Sequence, residues 1–314
     1  MAAKPGGSIL NAVGNTPVVR LNKIVPASSA SVLVKLEYFN PTGSYKDRMA
    51  LAMIEEAEKR GALRPGMTVV EYTGGSTGSS LAFVCAVKGY RFRVVSSDAF
   101  AKEKLQTMKV FGGELNLVPS DGGKITPDLL PRMVERAREI AASELSYFTD
   151  QFRNADSLKG YEGIGKELVE QLDLPMDAFC AGVGTAGMLM GVARVLRRLQ
   201  PAPRIVALEP ASSPAISKGV GGAHHIEGVG IGSVPPLLDK NFYDEARGID
   251  EQEARAIARR LAREEGIFSG TSTGMNVAGA LALAREFEAG RTIVTVAVDT
   301  GLKYLAGNLY ASGE

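Results

Sequence analysis

The stretch NPTGSYKDRMA, residues 40–50, sets one lysine, Lys46, between a flexible Pro-Thr-Gly turn and a helix-patterned segment. A lysine on a solvated surface needs no special neighbours. One that forms an imine with a carbonyl needs close backbone approach, a shaped pocket and a partner held in place. Three other loops supply such parts. GVGTAGM (182–188) follows an apolar run and opens a helix pattern, and bare backbone N–H groups at a helix start cradle phosphate. Its spacing is not GxGxxG, and no Lys-Ser/Thr pair follows as in a Walker loop. TGGSTG (73–78) offers the hydroxyls of Thr73, Ser76 and Thr77 with unencumbered N–H groups, which suits a carboxylate, and SGTSTGMN (269–276) has the same character. Each loop alone serves equally as a tight turn or an N-cap. Taken together with one lysine, and with neither a metal set nor a Ser-His-Asp order in view, they suit a small anionic cofactor whose carbonyl needs an amine.

The surrounding elements must hold these loops. DRMALAMIEEAEKRG (47–61) places Met49, Met53 and Ile54 on one helical face and stops at Gly61, so Lys46 sits at a helix N-terminus. RPGMTVVEYTGGSTG (64–78) gives a turn, a short apolar strand and the hydroxyl loop, with a helix in SSLAFVCAVKGY (79–90). Strand, helix, strand and helix follow in RFRVVSSD, AKEKLQTMKVFGG, ELNLVPS and TPDLLPRMVERAREIAASE (126–144). A second set contains the strand, loop and helix of 177–200, strands in RIVALEP and TIVTVAVDTG, and a helix in EQEARAIARRLAREEG (251–266). This alternation predicts an α/β protein of two three-layer domains with mainly parallel sheets, meeting at a cleft where strand ends gather ligands. The expected limits are 46–150 for a smaller, mobile domain carrying the hydroxyl loop, and 1–45 plus 151–314 for a larger one carrying GVGTAGM.

Composition narrows the function classes. The 314 residues exceed the usual single-domain size, and 45% are hydrophobic, ample for packed cores. Lys and Arg number 36 against 35 Asp and Glu, a formal charge of +1 with no basic block to track a phosphate backbone, so nucleic acid is not an expected partner. The start MAAKPGGSILNAVGNTP has neither an apolar signal core nor an Arg-rich amphipathic stretch, and no segment holds the roughly 18 apolar residues a membrane span requires. No membrane association is expected, and the cytoplasm is the default compartment. Cys85 and Cys180 lie far apart in apolar runs and read as buried, unreactive thiols. His224 and His225 lack a neighbouring Cys or carboxylate cluster, so they read as loop or satisfied core residues, and no metal is expected.

The motifs resemble one family nearly end to end. GNTPVVRLN, NPTGSYKDR, the Thr-x-Gly-x-Thr-Gly loop, DQFRN, GVGTAG, IEGVGIGSVPPLLD, EEGIFSGTSTG and DTGLKYLAG stand in the order and spacing of the cysteine synthase and cystathionine β-synthase group of pyridoxal phosphate enzymes, of the tryptophan-synthase-β-like fold. The resemblance implies pyridoxal 5'-phosphate in the cleft, with Lys46 as the Schiff-base lysine that later shuttles the α-proton. It implies that Gly182, Gly184, Thr185, Ala186, Gly187 and Met188 hold the cofactor phosphate, and that Ser272 faces the pyridine nitrogen. Ser76 falls where the family contacts the cofactor ring oxygen. Thr73, Gly74, Gly75, Thr77, Gln151 and Gly230 match substrate-binding positions. The implied partners are a small amino-acid substrate, a small nucleophile and a second copy in a homodimer. The implied activity is β-replacement on an O-activated L-serine such as O-acetylserine, passing through an aminoacrylate that takes up sulfide or a related nucleophile to give cysteine.

The departures bear on the substrate. Where the family reads Thr-Ser-Gly-Asn-Thr-Gly, Gly74 removes a hydroxyl and Ser76 replaces an asparagine with a shorter group. Ala186 and Met188 replace a glycine and a threonine in the phosphate loop, leaving its backbone cradle. Three other readings stand beside synthesis. They are β-elimination, as in a desulfhydrase or serine dehydratase; cystathionine synthesis, here expected without a regulatory tail or haem segment; and a catalytically silent homologue. Retention of Lys46 and Ser272 argues against the last.

Overall fold

Runs of β-branched and apolar residues set the strands, and glycine- or proline-bearing turns separate them from the helices. The computed structural model describes residues 7–311 except 125, 127 and 144. Its strands are β1 (Val18–Arg20), β2 (Ser31–Leu36), β3 (Thr68–Tyr72), β4 (Arg91–Ser97), β5 (Glu114–Val118), β6 (Ser146–Phe148), β7 (Ala178–Gly182), β8 (Arg204–Pro210), β9 (Glu245–Ile249) and β10 (Thr292–Ala297). Its α-helices are α1 (Lys46–Lys59), α2 (Ser76–Lys88), α3 (Lys102–Val110), α4 (Leu129–Ser143), α5 (Asp156–Gln171), α6 (Gly187–Leu196), α7 (Ala215–Lys218), α8 (Glu251–Arg260) and α9 (Thr271–Ala284). The chain forms two units: Lys46–Gly160 with the chain up to Val13, and Gly14–Tyr45 with the chain from Tyr161 onward. Against the expected limits, the division assigns residues 7–13 and 151–160 to the smaller unit.

The smaller unit holds a four-stranded, wholly parallel sheet in the order β5-β4-β3-β6. Every residue of β3, the central TVVEY strand, is buried, as a strand covered on both faces must be. On one face Leu129, Met133, Ala137 and Ile140 of α4 pack on Val70, Tyr72, Val95 and Val118. Glu71 lies on the other face with Val69, since successive side chains alternate, and it is fully buried there. Helix α1 buries Met49, Met53 and Ile54, the face read from the sequence. The helix expected over 126–144 is described from Leu129 to Ser143, and Pro127 and Glu144 lie outside the described residues.

The larger unit holds six strands in the order β1-β2-β10-β7-β8-β9, parallel except for β1 against β2. Its central strands, AFCAG of β7 and TIVTVA of β10, are buried throughout. Helix α9 is buried along almost its whole length, and Met275, Ala278 and Leu281 join the core formed by Val32, Cys180 and Val206. The helix expected over 251–266 is regular only to Arg260. A π-helical turn, Leu261–Glu265, follows and ends at Gly266 in the left-handed conformation. Among the described residues no helix is long and apolar enough to cross a membrane.

Candidate active site

Lys46 is the first residue of α1, and the chain passes between the two units at the Tyr45–Lys46 bond. The segment just before it is fixed within the larger unit. Ser44 Oγ donates to Asp299 Oδ1 at 2.5 Å, Thr300 N donates to Gly43 O at 2.9 Å and Tyr45 N to Val298 O at 3.2 Å. The NPTGSY and VDTG motifs, some 250 residues apart in sequence, thus meet and define where Lys46 leaves the larger unit.

In the smaller unit, the hydroxyl loop joins β3 to α2 and meets the segment after β6. Thr73 N donates to Val95 O at 2.9 Å, and Thr73 Oγ1 accepts from Gly75 N at 3.1 Å, which curls the loop. Ser76, Thr77 and Gly78 form the first turn of α2, so that helix starts three residues earlier than the sequence pattern indicated. Thr77 Oγ1 donates to Gln151 Oε1 at 2.8 Å, leaving the Gln151 amide nitrogen with only a long 3.3 Å bond to Tyr72 O. Thr73, Thr77 and Gln151 are all nearly buried here; Thr77 orients Gln151, and the Thr73 hydroxyl and the Gln151 amide nitrogen are the donors a carboxylate can take. Asp150 beside them takes the left-handed conformation, with φ +40°, uncommon for a residue with a side chain, and its carbonyl accepts from both Arg153 N and Asn154 N at 2.9 Å.

Gly74 has a local structural reason. A Cβ added there would lie 2.2 Å from Cδ1 of Phe100, whose ring fills the space beside the loop. Gly74→Ser is therefore expected to destabilise the protein by about 1–3 kcal/mol through overpacking. Phe100→Ala on the same chain is expected to recover most of that loss. Denaturant unfolding of both single variants and the double variant checks the coupling, and additive effects would contradict it.

In the larger unit, GVGTAGM links β7 to α6. Gly182 N donates to Asn276 Oδ1 at 2.7 Å, while Asn276 Nδ2 donates to Val296 O at 2.9 Å, so one side chain of α9 anchors the loop to β10. A Cβ at Gly184 would stand 2.2 Å from Gly228 O, so only glycine fits. Ala186 takes φ +68° at the N-cap of α6, consistent with the glycine it replaces in the family pattern. The N–H groups of Gly184, Thr185, Ala186 and Met188 have no acceptor among the described residues, although Thr185, Ala186 and Met188 are buried. Buried donors at a helix N-terminus require an anion or water, and a phosphate fits them. Gly230 also lies beside this loop. Its N–H donates to Val183 O at 2.9 Å, and its carbonyl lies 2.7 Å from His224 Nε2, which gives His224 the satisfied role expected for it. Ser272, in the first turn of α9, is buried and hydrogen-bonded to the hydroxyl of Tyr304, whose own ionisation burial pushes far up. The space that Tyr304 occupies is left by Gly270, where a Cβ would meet the ring at 2.3 Å.

Sequence reading missed Asn276, Tyr304 and Glu71. Asn276 ends the SGTSTGMN loop and Tyr304 stands inside the DTGLKYLAG motif, but their partners are remote in sequence. Glu71 is a charged residue inside a buried strand, a signal that does not depend on long-range contacts. Among the described residues no group of three or more His, Cys, Asp or Glu side chains is placed to hold a metal.

A family model described as "Pyridoxal-phosphate dependent enzyme" matches residues 9–299. A cysteine synthase of Staphylococcus aureus strain Mu50 is 41% identical over 313 residues, covering 99% of both chains. The chain belongs to the pyridoxal-phosphate-dependent enzymes of the cysteine synthase group. Solved members of this fold superpose closely on the chain. A cysteine synthase from Entamoeba histolytica aligns with TM-score 0.91 at 33% identity, covering 100% of this chain and 94% of that one. A hydrogen sulfide-producing enzyme from Fusobacterium nucleatum aligns with TM-score 0.88 at 36% identity, covering 96% and 100%. Pyridoxal phosphate is thus the cofactor of this pyridoxal-phosphate-dependent chain, and the α/β fold with mainly parallel sheets is that of its group.

Proposed function

We propose that this enzyme forms L-cysteine by β-replacement on an O-activated L-serine such as O-acetylserine, with sulfide as the nucleophile. The reading is carried by the full-length similarity to cysteine synthase together with the Thr73, Thr77 and Gln151 cluster. Bound pyridoxal phosphate supplies an electron sink for loss of the α-proton and the β-substituent. The N–H groups of Gly184, Thr185, Ala186, Gly187 and Met188 hold its phosphate, and Ser272, fixed by Tyr304, faces its ring nitrogen as a neutral hydroxyl group. Ser76 lies at the ring-oxygen position. Lys46 Nζ holds the cofactor carbonyl and then accepts the α-proton. Thr73, Thr77 and Gln151, with the N–H groups near Gly74 and Gly75, take the substrate carboxylate, and Gly230 lines the substrate position. The smaller unit is the mobile, substrate-binding one, and its loop excludes water during turnover. The protein works in the cytoplasm as a homodimer.

The test is to mix the holoenzyme with O-acetylserine, record the visible spectrum, and then add sulfide. A shift of the absorbance that sulfide reverses, with stoichiometric cysteine, is the expected result. β-Elimination is the second reading, favoured by the likeness to the Fusobacterium nucleatum hydrogen sulfide-producing enzyme. Pyruvate accumulating in place of cysteine would overturn synthesis in its favour.

A further inference from the structure

Glu71 has no part in the reading above, yet it joins the two segments that present this cluster. The β3–β6 ladder runs from Thr68 to Val70, and Thr149 N still reaches Val70 O at 3.0 Å. Beyond that point the strands part, and the Glu71 carboxyl replaces the ladder. Its Oε2 lies 2.7 Å from Thr149 Oγ1 and accepts from Gln151 N at 3.1 Å, while its Oε1 accepts from Tyr72 N at 2.9 Å. The same Thr149 Oγ1 lies 2.9 Å from Val70 O.

A hydroxyl has one proton to give. If Glu71 were ionised, Thr149 Oγ1 would stand within hydrogen-bond distance of two acceptors and satisfy one, leaving a repulsive oxygen pair in the core. If Glu71 carries a proton on Oε2, both short contacts become hydrogen bonds: Glu71 Oε2 donates to Thr149 Oγ1, and Thr149 Oγ1 donates to Val70 O. The Tyr72 and Gln151 N–H donors keep their acceptors in that arrangement. No contact in this set is left unsatisfied.

Resting on the assignment of Gln151 and Thr77 to the substrate carboxylate, we propose that Glu71 is a positioning residue, held as a neutral acid by Thr149, that fixes Gln151 and through it Thr77 for amino-acid binding. Burial, as the largest cause, agrees in direction, pushing the Glu71 carboxyl up to about 8, with the charge of Asp150 adding to it against the opposing hydrogen bonds. The groups facing it are Thr149 and Gln151 after β6, Tyr72 N on its own strand, the uncharged Val94 opposite on β4, and Asp150 nearby. Because the carboxyl is raised, it is neutral below about 8 and ionises as pH rises through that value. A charge forced into that core loosens the splice, so binding of the amino acid weakens on the alkaline side.

The experiment uses the holoenzyme and Glu71→Gln. The amide still donates to Thr149 and accepts from Tyr72 N, but it cannot accept from Gln151 N and cannot titrate. Infrared difference spectra between wild type and the variant should show the carbonyl stretch of a protonated carboxylic acid in wild type, vanishing as pH rises through about 8. KM for O-acetylserine should be about tenfold higher in Glu71→Gln at neutral pH with kcat within about twofold, and the alkaline rise of KM expected in wild type should be absent from the variant. Should Glu71→Gln not fold, Thr149→Val is expected to raise KM similarly, with Thr149→Ser restoring it. Absence of the carboxylic-acid band in wild type, or a variant KM that is unchanged or keeps the wild-type pH profile, overturns the inference. Failure of wild type to make cysteine at all overturns the functional reading instead, and the infrared result stands apart from it.

Discussion

Lys46→Ala is expected to lower turnover by roughly 10³-fold, the order of effect for removing a group that moves a proton in the rate-determining region of an enzyme. The same change should abolish the lysine-dependent visible absorbance, and borohydride should no longer fix the cofactor to the chain in the mass spectrum. Both readouts follow from one placement. Lys46 opens α1 directly after a segment that Asp299, Val298 and Thr300 fix through hydrogen bonds to Ser44, Tyr45 and Gly43. The replacement removes the amine without touching those bonds, so folding should be retained. A cofactor still fixed by borohydride in the variant would place the covalent link on another lysine and sink the assignment.

Gly184→Ala should have the second largest effect. A methyl group there meets a backbone carbonyl at 2.2 Å, and backbone has no rotamer with which to escape. The Gly228 segment or the loop must shift, which is expected to cost about 2–3 kcal/mol and weaken cofactor affinity by roughly 100-fold. Titration of the cofactor-free protein with pyridoxal phosphate, followed by absorbance, measures it. Unfolding of that same cofactor-free protein separates strain in the loop from loss of the phosphate cradle. Unchanged affinity would mean that the N–H groups of 184–188 do not hold the phosphate.

The alternation of strands and helices was legible because β3, β7 and β10 are buried throughout and β4 and β8 along most of their length, and such burial favours runs rich in apolar residues. Elements at the margins were less visible for physical reasons. Strand β9 reads EARGI, with Glu245 and Arg247 paired to Arg204 and Glu286 on a partly exposed edge, so charge masks the strand pattern. Strand β6 has only three residues, and α5 contains Gly160, whose Cβ would collide with Arg48 O at 2.2 Å, so packing overrides helix propensity there.

The site shows the same division. Lys46 and the glycine loops announce themselves because their chemistry is local. Asn276 bonds Gly182 across 94 residues, and no short window of sequence carries that information. Gly74 looked like a lost hydroxyl, whereas the structure makes it half of a pair with Phe100, a residue 26 positions away that no local motif includes.

The two cysteines give the protein a chemical character suited to its trade. Cys85 and Cys180 are both buried, and burial pushes each thiol up to about 12. At neutral pH only about one thiol in 10⁵ is then a thiolate, the form that attacks disulfides and persulfides. A catalyst steeped in sulfide and in its own thiol product therefore offers those reagents almost nothing to react with. Sulfur exchange with the polypeptide is thereby disfavoured at both of its cysteines.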